Sequence, residues 1–343
     1  MPLAGWRRWR SSLMVQPMSA LIRNRNLLGV ASLCLGALIF SLQDAIIKSI
    51  SGDHAVTLAI VLRCLVALPL LTIMVQMEAG LHRLSSRNIG IMLLRGGMLL
   101  VAYTSYFLAL PALPLAEAIA LYFTVPIIVT LLSGPLLGER VGFRSWVAVG
   151  AGFVGILIIL QPGSALFEPA ALLSLVSATT YALAMLIARR IGVAEPAAVM
   201  AFHQNAVYLT GAGLAAIAFN AFDVTSLGHP SLDFLVRPWA MPGTIDLVMM
   251  GLCGVIAAAG MWLLTNAYRM ADASLVTVFE YTGMIWAPLW GFLFFAEVPR
   301  WTTVLGTVII IIAGVFAVRS AAPARANEQP STATARQCPA DLS

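Results

Sequence analysis

Ten runs of about twenty apolar residues follow one another along this chain, near 27–49, 55–77, 89–110, 114–137, 143–161, 170–189, 196–219, 244–268, 273–296 and 301–318. A helix rises ~1.5 Å per residue, so about twenty residues cover the hydrocarbon core of a bilayer. No water is available there to bond a backbone N–H or C=O, and a segment of this length satisfies its own backbone as a helix. The expected fold class is therefore an all-α membrane protein with ten transmembrane helices. Charged residues make up 10% of the chain, against about 25% in soluble domains. Residues 1–26 form a basic segment, expected to be cytoplasmic, that lacks a signal-peptide cleavage pattern. Residues 320–343 form a polar tail expected to be disordered.

Lys and Arg collect on the cytoplasmic side of membrane proteins. With the N-terminus placed inside, fifteen of the twenty Lys and Arg fall on that side, Lys48, Arg237 and Arg300 fall on the other, and Arg63 and Arg95 lie within spans. The expected placement is the cell inner membrane, multi-pass, with both termini cytoplasmic. The net charge of +5 does not point to nucleic acid, because a nucleic-acid surface gathers its cations on a solvated face and these lie between apolar runs. Cys34, Cys64, Cys253 and Cys338 form no CxxC pattern, which argues against a disulfide framework or a metal site. There is no P-loop and no HExxH. The run GAGFVG (150–155) fits G-x-G-x-x-G but lies inside an apolar span and follows no strand, so it reads as helix packing. No cofactor is expected, and the chain does not read as an enzyme.

The chain also resembles itself. A shift of 158 residues lays YFTVPIIVTLLSGPLLGE (Tyr122–Glu139) over EYTGMIWAPLWGFLFFAE (Glu280–Glu297), and it pairs Gly96 with Gly254 and Ala109 with Ala267. A shift of 141 carries Phe40, Asp44 and Lys48 onto Tyr181, Met185 and Arg189, and Arg63 onto Gln204. The longer link at 220–243, with Pro230, Pro238 and Pro242, absorbs the difference between the two shifts. Five helices per copy is an odd number, so the copies must face opposite ways across the bilayer. Two inverted repeats are thus expected, 27–161 and 170–319, in a plan that places a binding site near mid-membrane between the halves.

Polar residues embedded in the runs mark that site. A charge at a helix centre costs about 2.5–3.5 kcal/mol on insertion scales, and each Leu, Ile, Val or Phe returns about 0.3–0.6, so one charge per span is tolerable. Asp44, Arg63 and Glu117 fall in the outer third of their spans, and Arg95 and Glu280 in the inner third. Pairing is expected of Arg63 with Asp44 or Glu117, and of Arg95 with Glu280. The stripes Ala37-Phe40-Ser41-Asp44-Lys48, Ser174-Ser177-Ala178-Tyr181 and Trp262-Thr265-Asn266-Arg269 each keep to one helical face, and those faces are expected to point inward. His203, Gln204 and Tyr208 share the seventh run. His203 is carried as a candidate, although a lone histidine more commonly packs. Tyr103, Tyr122 and Tyr281 add aromatic faces that can stack on a flat ligand. The candidate substrate-binding residues are therefore Asp44, Arg63, Tyr103, Tyr122, Tyr181, His203, Gln204, Trp262, Asn266, Glu280 and Tyr281. Pro126 interrupts the fourth run. It cannot donate to the Tyr122 carbonyl and its ring crowds that carbonyl, so a structural kink is expected there.

The order AVTLAIVLRCLVALPLL followed by LLRGGMLLVAYTSYFLALPALPLAEAIALYFTVPIIVTLLSGPLLGERVGFRSWVAVGAGFVGILII resembles the EamA-type repeat of the drug/metabolite transporter superfamily, over about residues 27–319. The first repeat carries the resemblance through Ala116, Pro126, Gly138, Glu139 and Gly155. In the second, Met284 stands in place of the proline and Ala296 in place of the glycine, while Glu297 and Gly314 remain. The resemblance implies ten helices in two inverted repeats and carriage of small organic solutes through the lipid bilayer. LPLAEAIALYFTVPIIVTLL is similar to the branch that holds bacterial riboflavin and S-adenosylmethionine importers, while neighbouring branches export amino acids. The function expected is a secondary transporter of a small-molecule substrate, riboflavin uptake first, with S-adenosylmethionine uptake or amino-acid or metabolite efflux as alternatives. A non-transporting membrane enzyme or assembly subunit is the alternative of another class, and it lacks a visible catalytic cluster or large soluble loop. Nothing in the sequence marks an oligomeric state.

Overall fold

The computed structural model describes residues 18–85, 88–137, 142–163, 167–191, 196–222, 224–270 and 281–326. Among them all regular structure is helical: α1 (Met18–Ile50), α2 (Val56–Glu78), α3 (Ile89–Ala109), α4 (Leu115–Tyr122), α5 (Val125–Leu137), α6 (Phe143–Leu160), α7 (Ala171–Ile191), α8 (Ala197–Ala221), α9 (Pro230–Val236), α10 (Thr244–Met270), α11 (Gly283–Phe295) and α12 (Trp301–Ala326), with a short 3₁₀ turn at Leu81–Leu84. Among the described residues five stretches are long and apolar enough to cross a bilayer: Leu27–Ile50, Val56–Glu78, Ile89–Ala109, Leu115–Leu132 and Thr244–Leu264. Trp146–Leu160, Ala171–Ile187, Gly283–Phe295 and Trp301–Phe316 are shorter apolar helices. Large apolar side chains such as Phe153, Leu214, Ile285 and Phe292 stand on the outside of the bundle, where lipid is the natural neighbour of a helix that is apolar all round.

Helix α1 lies along α10 and α11, while α7 lies along α3, α4 and α5; α2 packs on α8 and α10, α3 on α8, and α6 on α12. Exchanging α1 with α7, α2 with α8, α3 with α10, α5 with α11 and α6 with α12 turns these pairs, apart from α4 with α7, into one another. The helix ends agree with that exchange. The 158-residue shift carries Val125–Leu137 onto Gly283–Phe295 and Phe143 onto Trp301, and the 141-residue shift carries Ile50 onto Ile191 and Val56 onto Ala197. Even single contacts recur: Gly96 faces Val207, and Gly254 faces Val66. Small residues let these helices approach closely, as membrane interfaces favour. A Cβ on Gly155 would come to 3.0 Å from the Gly306 carbonyl oxygen, and one on Gly306 to 2.7 Å from that of Gly155. Two of the three glycines of GAGFVG thus serve the packing of α6, Gly155 against α12 and Gly152 against Ile127 of α5, while Gly150 faces open space.

Pro126 does more than kink its helix. The fourth run is split into α4 and α5, with a turn at Phe123 and Thr124, and Pro126 sits in the first turn of α5. A missing N–H leaves no intrahelical bond unmade at that position. Thr124 and Thr130 turn their hydroxyls onto the Leu121 and Pro126 carbonyls, at 2.7 and 2.8 Å. The equivalent helix α11 begins at the equivalent residue although Met284 stands where the proline would be.

At one end of the bundle polar ties cross between elements. Lys48 of α1 is 2.5 Å from Glu297, which follows α11, and both are largely buried, at 10% and 22% exposure. Glu297 also accepts the N–H of Leu115 at 3.0 Å, and Lys48 donates to the Leu113 carbonyl. His54 meets Asp246 at 2.9 Å and His229 meets Glu168 at 3.2 Å. Arg237 donates to the Ser51 carbonyl at 2.9 Å, and the Trp239 indole to Thr57 at 2.9 Å. Between these ties the 220–243 link, read from sequence as a proline-rich connection, holds α9, whose Phe234 is fully buried and which packs on α2 and α3. Glu117, at the start of α4, reaches Arg300 at 4.0 Å, so the expected Arg63–Glu117 pair does not form. Arg300 lies closer to that end of α4 than does Arg63, which sits deeper in α2.

The Lys48–Glu297 pair should be a strong stabilising feature. A charge deprived of its partner in a dry site costs about 3–5 kcal/mol, and partial exposure points to the lower end. Lys48→Met and Glu297→Gln should each lower the apparent melting temperature in detergent, and the double variant should lose clearly less than the sum, as a thermal double-mutant cycle would record.

Candidate functional site

Helices α1, α2, α3, α4, α7 and α8 converge on a set of tyrosines. The spacing of Tyr103 and Tyr106, three apart on α3, puts both on one face. Tyr122 is the last residue of α4, immediately before the turn at Phe123 and Thr124. The ring centroids form a continuous series: Tyr208–Tyr103 at 5.8 Å, Tyr103–Tyr181 at 6.4 Å, Tyr181–Tyr122 at 5.6 Å, Tyr122–Phe123 at 6.0 Å and Phe123–Tyr281 at 5.6 Å. Tyr106 closes on Tyr122 at 5.3 Å. Most of these pairs are tilted or edge-on, the arrangement that ring quadrupoles favour. Tyr103, Tyr122 and Tyr181 remain partly exposed, whereas Tyr106, Tyr208 and Tyr281 are buried.

Polar groups thread the rings. Arg63, 6% exposed, holds its guanidinium 5.9 Å from the centre of the Tyr103 ring, a cation–π contact worth about 0.5–2 kcal/mol depending on desolvation. The Tyr106 hydroxyl donates to Asp44 Oδ2 at 3.1 Å. No ion pair joins Asp44 to Arg63 among the described residues, although the Arg63 charge lies within electrostatic reach of the carboxylate. The two charges expected to bond directly are instead linked through tyrosines. Gln204 donates from Nε2 to the Tyr208 hydroxyl at 3.0 Å, and its neighbour Asn205 donates to the Cys64 carbonyl at 3.0 Å, locking α8 to α2 beside Arg63. Gly254 makes room from the other side, since a Cβ there would run into the Arg63 carbonyl oxygen.

The arrangement brings together Asp44, Arg63, Tyr103, Tyr122, Tyr181 and Gln204, and it extends to Tyr281 through Phe123. His203 stands apart: its Nδ1–H donates to the Val199 carbonyl of its own helix at 2.9 Å and its ring meets Phe202 edge-on. Trp262 is 55% exposed on the outer surface of α10, so the inward face drawn through it does not hold. Its ring is apolar enough to lie against lipid. The side chain of Asn266, and Glu280 with its expected partnership with Arg95, lie outside the described residues. Sequence reasoning missed Tyr106, whose only mark was its spacing from Tyr103, and it named Tyr208 only as a neighbour of Gln204. Among the described residues no three His, Cys, Asp or Glu side chains gather as a metal site would require. The site can therefore stack, donate and accept hydrogen bonds, and hold charge, which suits reversible binding.

The sequence profile of the EamA-like transporter family matches residues 27–161 and 168–319. A riboflavin transporter of Rhizobium johnstonii is 32% identical over 62% of this chain, and the match spans 64% of that protein. An S-adenosylmethionine uptake transporter of Rickettsia prowazekii is 24% identical over 70% of this chain and 76% of its own length. A pseudopaline exporter of Pseudomonas aeruginosa is 28% identical over 83% of this chain and 94% of its own. One solved crystal structure superposes with a TM-score of 0.57 at 18% identity, covering 89% of this chain and 99% of that one, and so shares the fold.

Proposed function

The chain belongs to the EamA-like transporter family, and on that footing we propose that it is a secondary carrier of a planar, polar-edged metabolite across the inner membrane, with riboflavin uptake as its activity. The observation that carries this reading is the run of tyrosines around Arg63 and Asp44: stacking faces flanked by one cation, one carboxylate and a neutral amide suit an aromatic ring system with a hydroxylated side arm. An amino acid would engage few of those rings. Relatives named as riboflavin transporters favour the same cargo. Efflux is the second reading, and it draws on the pseudopaline exporter, whose match spans more of both chains.

The carrier is read as ten transmembrane helices in two inverted five-helix repeats, 27–161 and 170–319, with both termini cytoplasmic. The coincident helix ends and the exchange of helix contacts between halves support the repeat, and the distribution of Lys and Arg supports the orientation. Substrate would then be reached from either side in turn by rocking of the halves about the tyrosine cluster. Tags at both ends should report from the cytoplasm; a reporter read from the periplasm at either end would refute the orientation.

Expression in a riboflavin-requiring bacterium should restore growth on low external riboflavin, with saturable uptake of the labelled vitamin. Tyr122→Ala or Tyr181→Ala should raise the apparent KM by a few fold to about tenfold, since an aromatic pair contributes about 0.5–1.5 kcal/mol beyond burial. Trp262→Ala should leave it within about twofold. Clear transport of S-adenosylmethionine, an amino acid or a pseudopaline-like molecule without riboflavin uptake would replace the cargo and keep the carrier.

A further inference from the structure

Two buried side chains of the tyrosine cluster have hydrogen-bonding atoms with no partner among the described residues. Arg63 is 6% exposed, and its Nε and Nη1 have no partner among the described residues. Gln204 is 8% exposed; its Nε2 is given to the Tyr208 hydroxyl at 3.0 Å, while its Oε1 has no partner among the described residues. Buried polar groups are bonded in the great majority of cases, and each exception asks for an explanation.

These two groups flank the same contact between α2 and α8. Arg63 and Gln204 each precede one of the two residues joined by the Asn205–Cys64 hydrogen bond of 3.0 Å, so α2 and α8 present them at the same level. Tyr103 links them again: its ring lies 5.9 Å from the Arg63 guanidinium and 5.8 Å from the Tyr208 ring that Gln204 holds. A cationic donor and a neutral acceptor are thus offered around one pair of aromatic rings, Tyr103 and Tyr208.

We infer that Arg63 and Gln204 read the adjacent C=O and N–H of a cyclic imide on a planar ring, as in the pyrimidinedione portion of a flavin, an inference that rests on the flavin reading above. Arg63 donates to the ring carbonyl and Gln204 Oε1 accepts the ring N–H, while Tyr103 lies against the ring face. A carboxylate would satisfy Arg63 but would turn an anionic oxygen toward the Gln204 acceptor. An ammonium group would be drawn to the Asp44 carboxylate rather than to a neutral amide. The neutral N–H of an imide matches the neutral Oε1, and Gln204 is then the residue that separates imide-bearing rings from look-alikes. Sites built to bond an N–H reject analogues that lack it far more strongly than apolar pockets reject a change in size.

Competition against labelled riboflavin uptake in whole cells tests this with N3-methylriboflavin, in which a methyl group replaces the imide proton and the isoalloxazine ring is kept. Against the parent protein the methylated analogue should compete at least about tenfold more weakly than unlabelled riboflavin. In Gln204→Leu the affinity for riboflavin should fall and that difference should shrink to about twofold or less, while Gln204→Glu, which keeps an acceptor there, should retain it. The parent comparison decides even if a variant fails to reach the membrane. Riboflavin uptake with equal competition by the methylated analogue would overturn the imide assignment and leave the flavin carrier standing; absence of riboflavin uptake would overturn both.

Discussion

A guanidinium carried on the second turn of a membrane-spanning helix has to be provided for, and much of this bundle is arranged around that need. Arg63 lies within Val56–Glu78, a stretch whose other side chains are apolar enough to carry one charge into the membrane. Insertion alone would leave the charge facing hydrocarbon. Instead α3 lays the Tyr103 ring against it, α1 brings Asp44 within electrostatic reach, α8 is pinned alongside by Asn205, and α10 closes over the backbone at Gly254. Buried charge in a membrane is costly and tends to mark a path or a site; here it also explains why these four helices meet where they do.

The second constraint is the backbone. In hydrocarbon a broken helix exposes polar groups that nothing can bond, so breaks belong inside the protein. The break between α4 and α5 obeys that rule: Thr124 is fully buried with its hydroxyl on the Leu121 carbonyl, and Tyr122, the last residue before the break, faces the other rings. The interruption therefore both turns the chain and delivers a stacking face. The ties at one end, above all Lys48 with Glu297, hold α1 to the loops that precede α4 and follow α11. Any motion that opens that end must first separate them.

Much of this was legible in the sequence because the bilayer imposes a single rule on length and polarity. The apolar helix runs and the interruption near Pro126 follow from length, polarity and periodicity, and Asp44, Arg63, Tyr103, Tyr122, Tyr181 and Gln204 stand out in the sequence as the polar and aromatic residues within those runs. Partner choice was not legible. Glu117 turns to Arg300 and Lys48 to Glu297, residues far away in the chain, and a depth estimate along separate helices cannot rank such partners. Trp262 was misplaced because a helical stripe shows which residues share a face, but not which way that face looks. The short helix α9 was hidden by the prolines around it, since Pro230 serves as a helix start rather than a break. Tyr106 escaped notice because its role lies in a hydrogen bond to Asp44 on another helix.

The proposed carrier requires that the tyrosines around Arg63 bind a flavin ring. The most direct measurement is the fluorescence of riboflavin titrated with the purified protein in detergent, because a ring stacked on tyrosine loses emission. The expected result is saturable quenching that unlabelled S-adenosylmethionine does not reverse and that weakens in Tyr122→Ala. A riboflavin signal unchanged by the folded parent protein would contradict it.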